Sequence, residues 1–261
     1  MKKVVAYFLS AICAIGLLAE AAPLNAVQAS GRTAYVALHQ ITVHTSDDND
    51  SKEEYIPYRT KVTKYTNEED GWIKLKVNGK IRWHYSHEGE NSLVYSMPKP
   101  NFKGQNKYQT RVLKVAKKVY TKWKTAYGHN ASEGKKAKNG KRYFDCSGFV
   151  SYCLNTGMHK YSKKYQLSKN IKTIYNTKKV GKWKVKKILS NKLKESKLKP
   201  GDVLFFKLNG GKDKYDHCAI YLGNGEMIHS THNFGGKVRL MPLTGIYEDG
   251  FVAAKRYIPA K

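Results

Sequence analysis

The stretch Arg142-Tyr-Phe-Asp-Cys-Ser-Gly-Phe-Val-Ser-Tyr-Cys-Leu154 constrains this chain more than any other. Cys146, Phe149, Val150, Cys153 and Leu154 fall at i, i+3, i+4, i+7 and i+8, the spacing of one apolar helical face. The pattern therefore predicts a helix whose Cys146 points inward. Asp145 is a good N-cap, and Gly157 is the expected C-cap after roughly 10 to 12 helical residues. A cysteine in the first turn lies among unpaired backbone N–H groups at the positive dipole end, which favours thiolate over thiol. On spacing alone, a buried structural cysteine beside a cap fits equally well.

A second segment breaks that tie. Asp216-His217-Cys-Ala-Ile-Tyr221 reads as a strand carrying a histidine, and His229 follows twelve residues later across the Gly223-Asn-Gly225 turn. Two histidines on neighbouring strands can approach each other. One beside the thiol would serve as general base, with the second fixing its tautomer, which is the logic of a nucleophilic triad. Strand alternation puts Cys218 on the face opposite His217, so its expected role is core packing. His217, His229 and His232 without a carboxylate or thiolate companion make a poor zinc set, and there is no CxxC pair. No metal and no cofactor is expected.

Lys2 and Lys3 precede an apolar run, Val4 to Ala19, that is short for a membrane span. With the small residues ending at Ala29 it reads as a signal peptide over residues 1–29, cleaved after Ala29, which carries Cys13 away. A retained anchor is the rival reading; stable membrane insertion after removal is not expected. Three cysteines remain, an odd number for an exported protein, so at least one thiol should be free. Cys146 and Cys153 stand two turns apart, roughly 10 Å by helical rise, too far to bond, while a Cys153–Cys218 bridge stays open. The net charge of +28 seeks polyanions. Export argues against nucleic acid and for anionic cell-wall polymers, with lysines recurring between Lys160 and Lys199 as the candidate surface.

Residues 33–96 alternate apolar and polar side chains in short runs: Ile41–His44, Lys61–Tyr65, Trp72–Val77 and Lys80–Trp83. Asn78-Gly79 predicts a type I′ hairpin between the last two. This reads as a small antiparallel barrel. Residues 97–107, with Met97-Pro-Lys-Pro, have linker composition. Beyond them Val112, Val115, Ala116, Val119 and Tyr120 form the stripe of an amphipathic helix. After the cysteine helix come strands at Val203–Phe206, His217–Leu222, Glu226–Ser230, Lys237–Pro242 and Val252–Ile258. Helices followed by an antiparallel sheet predict an α+β fold over residues 108–261.

Three segments in this order, Asp145-Cys-Ser-Gly-Phe-Val150, Leu198-Lys-Pro-Gly-Asp-Val-Leu-Phe-Phe206 and His217 through His229, resemble the NlpC/P60 family of cell-wall peptidases. The barrel similarly resembles a bacterial SH3-like wall-binding domain, through Lys61–Tyr65, Gly71–Lys80 and Trp83. The resemblance implies a papain-like catalytic domain with Cys146 as nucleophile, His217 as base and His229 as orienting residue. It implies that Asp145 and Ser147 hold the free amine of a peptidoglycan stem peptide. The bond cut would join D-γ-glutamate to a diamino acid. Where the family commonly shows Tyr-x-Trp-Gly-Gly, this chain has Thr125-Ala-Tyr-Gly-His129, which makes Tyr127 the candidate for that tyrosine's role. After the base, Cys218-Ala219 replaces the more usual Val-Gly. The expected protein is a secreted, wall-associated monomer acting on peptidoglycan. Two other functions stay open: a wall-adhesion protein with a degenerate site, and a CHAP-type amidase.

Overall fold

The computed structural model describes residues 31–38, 40–67, 71–86, 92–128, 134–210 and 212–259. The expected signal peptide and His129 lie outside the described residues. The N-terminal strands are β1 (Arg32–Val36), β2 (Gln40–His44), β3 (Glu53–Pro57), β4 (Lys61–Asn67), β5 (Trp72–Val77), β6 (Lys80–Tyr85) and β7 (Leu93–Val94). They form one antiparallel sheet in the order β3-β2-β6-β5-β4-β1-β7. Asn78 and Gly79 both take positive φ, 49° and 83°, as a type I′ turn requires, and Val77 pairs with Lys80 across it. Inward residues of these strands, among them Ala34, Val43, Val62 and Leu75, make a core of their own.

After the linker, α1 (Lys107–Lys122) starts at Asn106, whose side chain accepts from the Tyr108 and Gln109 N–H groups. Its buried stripe is Gln109, Val112, Leu113, Ala116 and Val119. Tyr120, expected inside, is 37% exposed, and Leu113 takes the inward place. The apolar arc is thus rotated from the Val115–Tyr120 edge toward Leu113. A short parallel pair, β8 (Thr125–Tyr127) and β9 (Arg142–Phe144), leads into α2 (Cys146–His159).

Residue 157 corrects the expected helix end: α2 continues to His159 with Lys160 as C-cap, and Gly157 lies inside it. A Cβ at Gly157 would stand 2.8 Å from both Cα and Cγ2 of Val112. The glycine lets α1 and α2 cross at close range instead of ending the helix.

The lysine-rich region that follows, expected as surface, folds into α3 (Ile171–Asn176), β10 (Lys179–Val180), β11 (Trp183–Lys184) and β12 (Lys186–Ser190). Then come β13 (Val203–Phe206), β14 (His217–Gly223), β15 (Glu226–Thr231), α4 (Asn233–Gly236), β16 (Lys237–Pro242), α5 (Ile246–Asp249) and β17 (Phe251–Arg256). The second sheet is antiparallel in the order β12-β17-β13-β14-β15-β16. Helices and an antiparallel sheet give the mixed α and β architecture expected. One sheet face packs on α1 and α2 through Val203, Phe205, Cys218, Ile220 and Ile228. The other buries Leu204, Phe206, Tyr221, Met227 and Tyr247.

Two ion pairs fasten the architecture, the first buried and the second partly so. Arg256 of β17 grips Asp202 bidentately, at 2.6 and 2.8 Å, where the chain enters β13. Arg59, from the turn between β3 and β4, pairs with Glu226 of β15, which also accepts from the Tyr58 hydroxyl at 2.9 Å. The second pair ties the N-terminal sheet to the strand that carries His229.

Candidate active site

Asp145 caps α2 as its sequence predicts. Its Oδ1 accepts from the Gly148 N–H and, at 3.2 Å, from the Ser147 hydroxyl. A Cβ at residue 148 would lie 3.0 Å from that oxygen, so a larger residue there would push on the cap. Below the cap, Phe149, Val150, Cys153, Leu154 and Met158 are wholly buried. Each such side chain contributes about 1.5–3 kcal/mol, against about 1 kcal/mol for a cap. Packing therefore holds the helix, and the cap decides that it begins at Cys146.

The structure brings Cys146 against the start of β14. A hydrogen bond with the Cys218 thiol is the largest influence on it, and it holds the Cys146 thiol well below the ordinary thiol range. Burial opposes this, while a hydrogen bond and charge from His217 and the Cys218 N–H reinforce it. Among the described cysteines Cys146, Cys153 and Cys218 are all free, so the Cys153–Cys218 bridge is not made. Burial alone raises the Cys153 thiol well above its usual range, which keeps it protonated. Cys218 is buried in the helix-facing core as expected, yet its sulfur also meets the candidate nucleophile. Alternation assigned Cys218 a face but not this neighbour, because only the docking of α2 supplies it.

His217 Nε2 lies 2.6 Å from His229 Nδ1, with the two rings at 87° and their centroids 4.9 Å apart. The register explains the approach. Ile220 pairs with Ile228, so counting outward sets His217 diagonally across from His229 on the same face of the sheet. With Nε2 engaged, the ring nitrogen left for Cys146 is Nδ1. For Nδ1 to accept a proton in the neutral ring, Nε2 must carry hydrogen and donate to His229. His229 is completely buried, and burial first, then the charges of His217 and Arg239, holds it well below the usual imidazole range. It therefore stays neutral, and with His217 in that tautomer it accepts at Nδ1. Its own Nε2 has no hydrogen-bond partner among the described residues, and the Tyr247 ring stands edge-on 5.5 Å away.

A groove of about 1150 Å³ runs beside this cluster. Tyr127, Asp145, Cys146 and Ser147 line one part; His159, Lys169 and Asn170 line another. The segment after α2 forms the facing wall and is pinned to the helix. Asn155 donates to the Leu167 carbonyl at 2.9 Å and accepts from its N–H at 2.7 Å, and Ser151 donates to the Ser168 carbonyl. Burial pushes the Tyr127 hydroxyl well above its usual range, so it remains a protonated donor at the groove wall. The third histidine, His232, is not with the other two: its ring packs on Tyr127 at 5.5 Å. That wall, residues 165–171, belongs to the lysine-rich region 160–197, which was expected to border the groove; the sequence did not show which of its residues would do so.

The model of the NlpC/P60 family matches residues 125–256, just over half of the chain, so the chain belongs to that family. The matched span contains Tyr127, Asp145, Cys146, Ser147, His217 and His229. Over 65 residues the chain is 35% identical to the gamma-DL-glutamyl hydrolase of Bacillus subtilis, covering 24% of this chain and 16% of that protein. Over 63 residues it is 40% identical to the gamma-D-glutamyl-L-lysine dipeptidyl-peptidase of Bacillus cereus, covering 24% and 19% respectively. The match thus spans less than a fifth of the length of either relative. Among solved structures it is similar to NlpC2 of Trichomonas vaginalis, with 21% identity, a TM-score of 0.42, and coverage of 86% of this chain and 72% of that one.

Proposed function

We propose that this protein is an exported cysteine endopeptidase that hydrolyses peptidoglycan stem peptides at the bond between D-γ-glutamate and a diamino acid. The observation that carries the reading is the contact chain from Cys146 to His217 and on to His229, the last link 2.6 Å long, beside an open groove. The names of the two glutamyl-peptide hydrolases support the choice of bond.

In this reading the Cys146 thiolate attacks the amide carbonyl while His217 holds the thiol proton at Nδ1. The N–H groups of Cys146 and Ser147, at the positive end of α2, receive the oxyanion. Imidazolium His217 then protonates the departing amine, leaving an acyl thioester on Cys146. Water, deprotonated by neutral His217, attacks the thioester and restores the thiol. His229 acts through His217 by fixing its tautomer throughout. Asp145 and Ser147 hold the free amine of the peptide, and the Tyr127 hydroxyl donates to a peptide carbonyl from the groove wall.

The first 29 residues serve as the leader. Residues 33–96 are an SH3-like barrel that positions the enzyme on the wall, 97–107 the linker and 108–261 a papain-like catalytic domain. The protein acts as a monomer held near anionic wall polymers. The test is digestion of defined muropeptides with mass spectrometry of the products. Fragments ending in γ-glutamate are expected. Intact stem peptides freed from the sugar would indicate an amidase instead, and salt-sensitive wall binding without any released peptide would indicate an adhesion protein.

A further inference from the structure

On the other side of β16 from its pairing with β15 lies a second cavity, of about 450 Å³, within the range of small-molecule sites. The turn after β3, the end of α1 and edge strand β16 enclose it. Five cationic residues line it, Arg59, Lys124, Lys141, Lys237 and Arg239, and no aspartate or glutamate is among its described lining residues. Glu226, which pairs with Arg59, is already shared with Tyr58.

Arg239 separates this cavity from the general positive surface. The lysines are exposed, but Arg239 is only 8% exposed, and burial lowers its guanidinium from the usual range. A charge taken out of water gains most from an anion brought to it, whereas an exposed lysine gains little. A guanidinium fork flanked by ammonium groups suits the tetrahedral oxygens of phosphate. Tyr120 and Trp123 also line the cavity, whose volume leaves space for more than a bare ion.

We propose that the cavity between residues 57–59, the end of α1 and β16 is a binding site for a phosphate-bearing anion. This site does not depend on the peptidase reading, and either can fail without the other. Its ligand is a small phosphate anion or one phosphodiester unit of a longer polymer. The experiment is calorimetric titration of the full chain at low ionic strength with inorganic pyrophosphate and, separately, with a short glycerol phosphate oligomer. Saturable binding is expected with a stoichiometry of one for pyrophosphate. Pyrophosphate binding assigns small anions, and binding of the oligomer alone assigns the polymer; both uphold the site. Paired replacement Lys124→Glu with Lys237→Glu should weaken binding at least tenfold. Lys186→Glu with Lys192→Glu makes the same change in net charge in and just after β12, on the opposite edge of the sheet, and should weaken it less than twofold. Absence of saturable binding of either probe, or a similar loss from both pairs of replacements, would overturn the proposal, because diffuse attraction to a +28 protein would then account for the effect.

Discussion

Replacing Gly157 by alanine sets helix propensity against packing, and the structure decides the sign. In an exposed helix interior the change would stabilise by about 1 kcal/mol, because glycine carries the larger entropy cost. Here the added Cβ would meet Val112 Cα and Cγ2 at 2.8 Å and Val112 N at 3.0 Å. Two of those three atoms are backbone and cannot rotate away, so α1 and α2 must separate. Overpacking of this kind costs about 1–3 kcal/mol, and an obstacle made of backbone belongs at the upper end. Subtracting the propensity gain leaves Gly157→Ala destabilised by about 1–2 kcal/mol. In thermal unfolding by circular dichroism this is a fall of roughly 3–6 °C for a chain of this size. Because α2 carries Cys146 at its other end, the variant should also alkylate Cys146 more slowly. A variant as stable as the parent, or more stable, would refute the claim that residue 157 marks a helix crossing.

Cys146 is held below the ordinary thiol range, chiefly by Cys218, so its thiolate persists as pH falls, whereas an ordinary thiol loses about tenfold in thiolate per unit below about pH 8.5. Iodoacetamide labelling of Cys146, followed by peptide mass spectrometry, should therefore change little from about pH 9 to about pH 7; a tenfold decline per unit contradicts this. Asn155→Ala removes two hydrogen bonds to Leu167 and should cost about 2 kcal/mol in urea unfolding, with a loss below about 0.5 kcal/mol counting against the pinned groove wall. Arg59→Met leaves the buried Glu226 carboxylate without its cation and should destabilise by about 3 kcal/mol in the same assay. No change there would show that the two sheets are not tied through this pair.

Much of the candidate site's geometry was legible because its parts obey local rules. Asp145 before an i, i+3, i+4 pattern sets the start of α2, and a glycine-bounded turn between two apolar strands makes His217 and His229 neighbours. Asn78-Gly79 likewise specified a turn that the φ values bear out. What escaped reading depends on tertiary contact. Gly157 looked like a helix stop because sequence cannot show α1 crossing there. Tyr120 and Leu113 exchanged places because amphipathic spacing leaves the centre of the buried arc uncertain by about one residue, and packing against α2 and the sheet fixes it. The short elements between residues 171 and 190 were hidden by their lysines. Their anchors, such as Ile174 and Val180, are single apolar residues without a period. Cys218 was assigned its face but not its contact with Cys146.

The central claim is that the sulfur of Cys146 performs the chemistry. Its most direct measurement is release of soluble peptides from purified peptidoglycan by the parent and by Cys146→Ala, with circular dichroism to establish that both are folded. The account predicts release by the parent and none by the variant, at matching spectra. Undiminished release by a folded Cys146→Ala protein would contradict it.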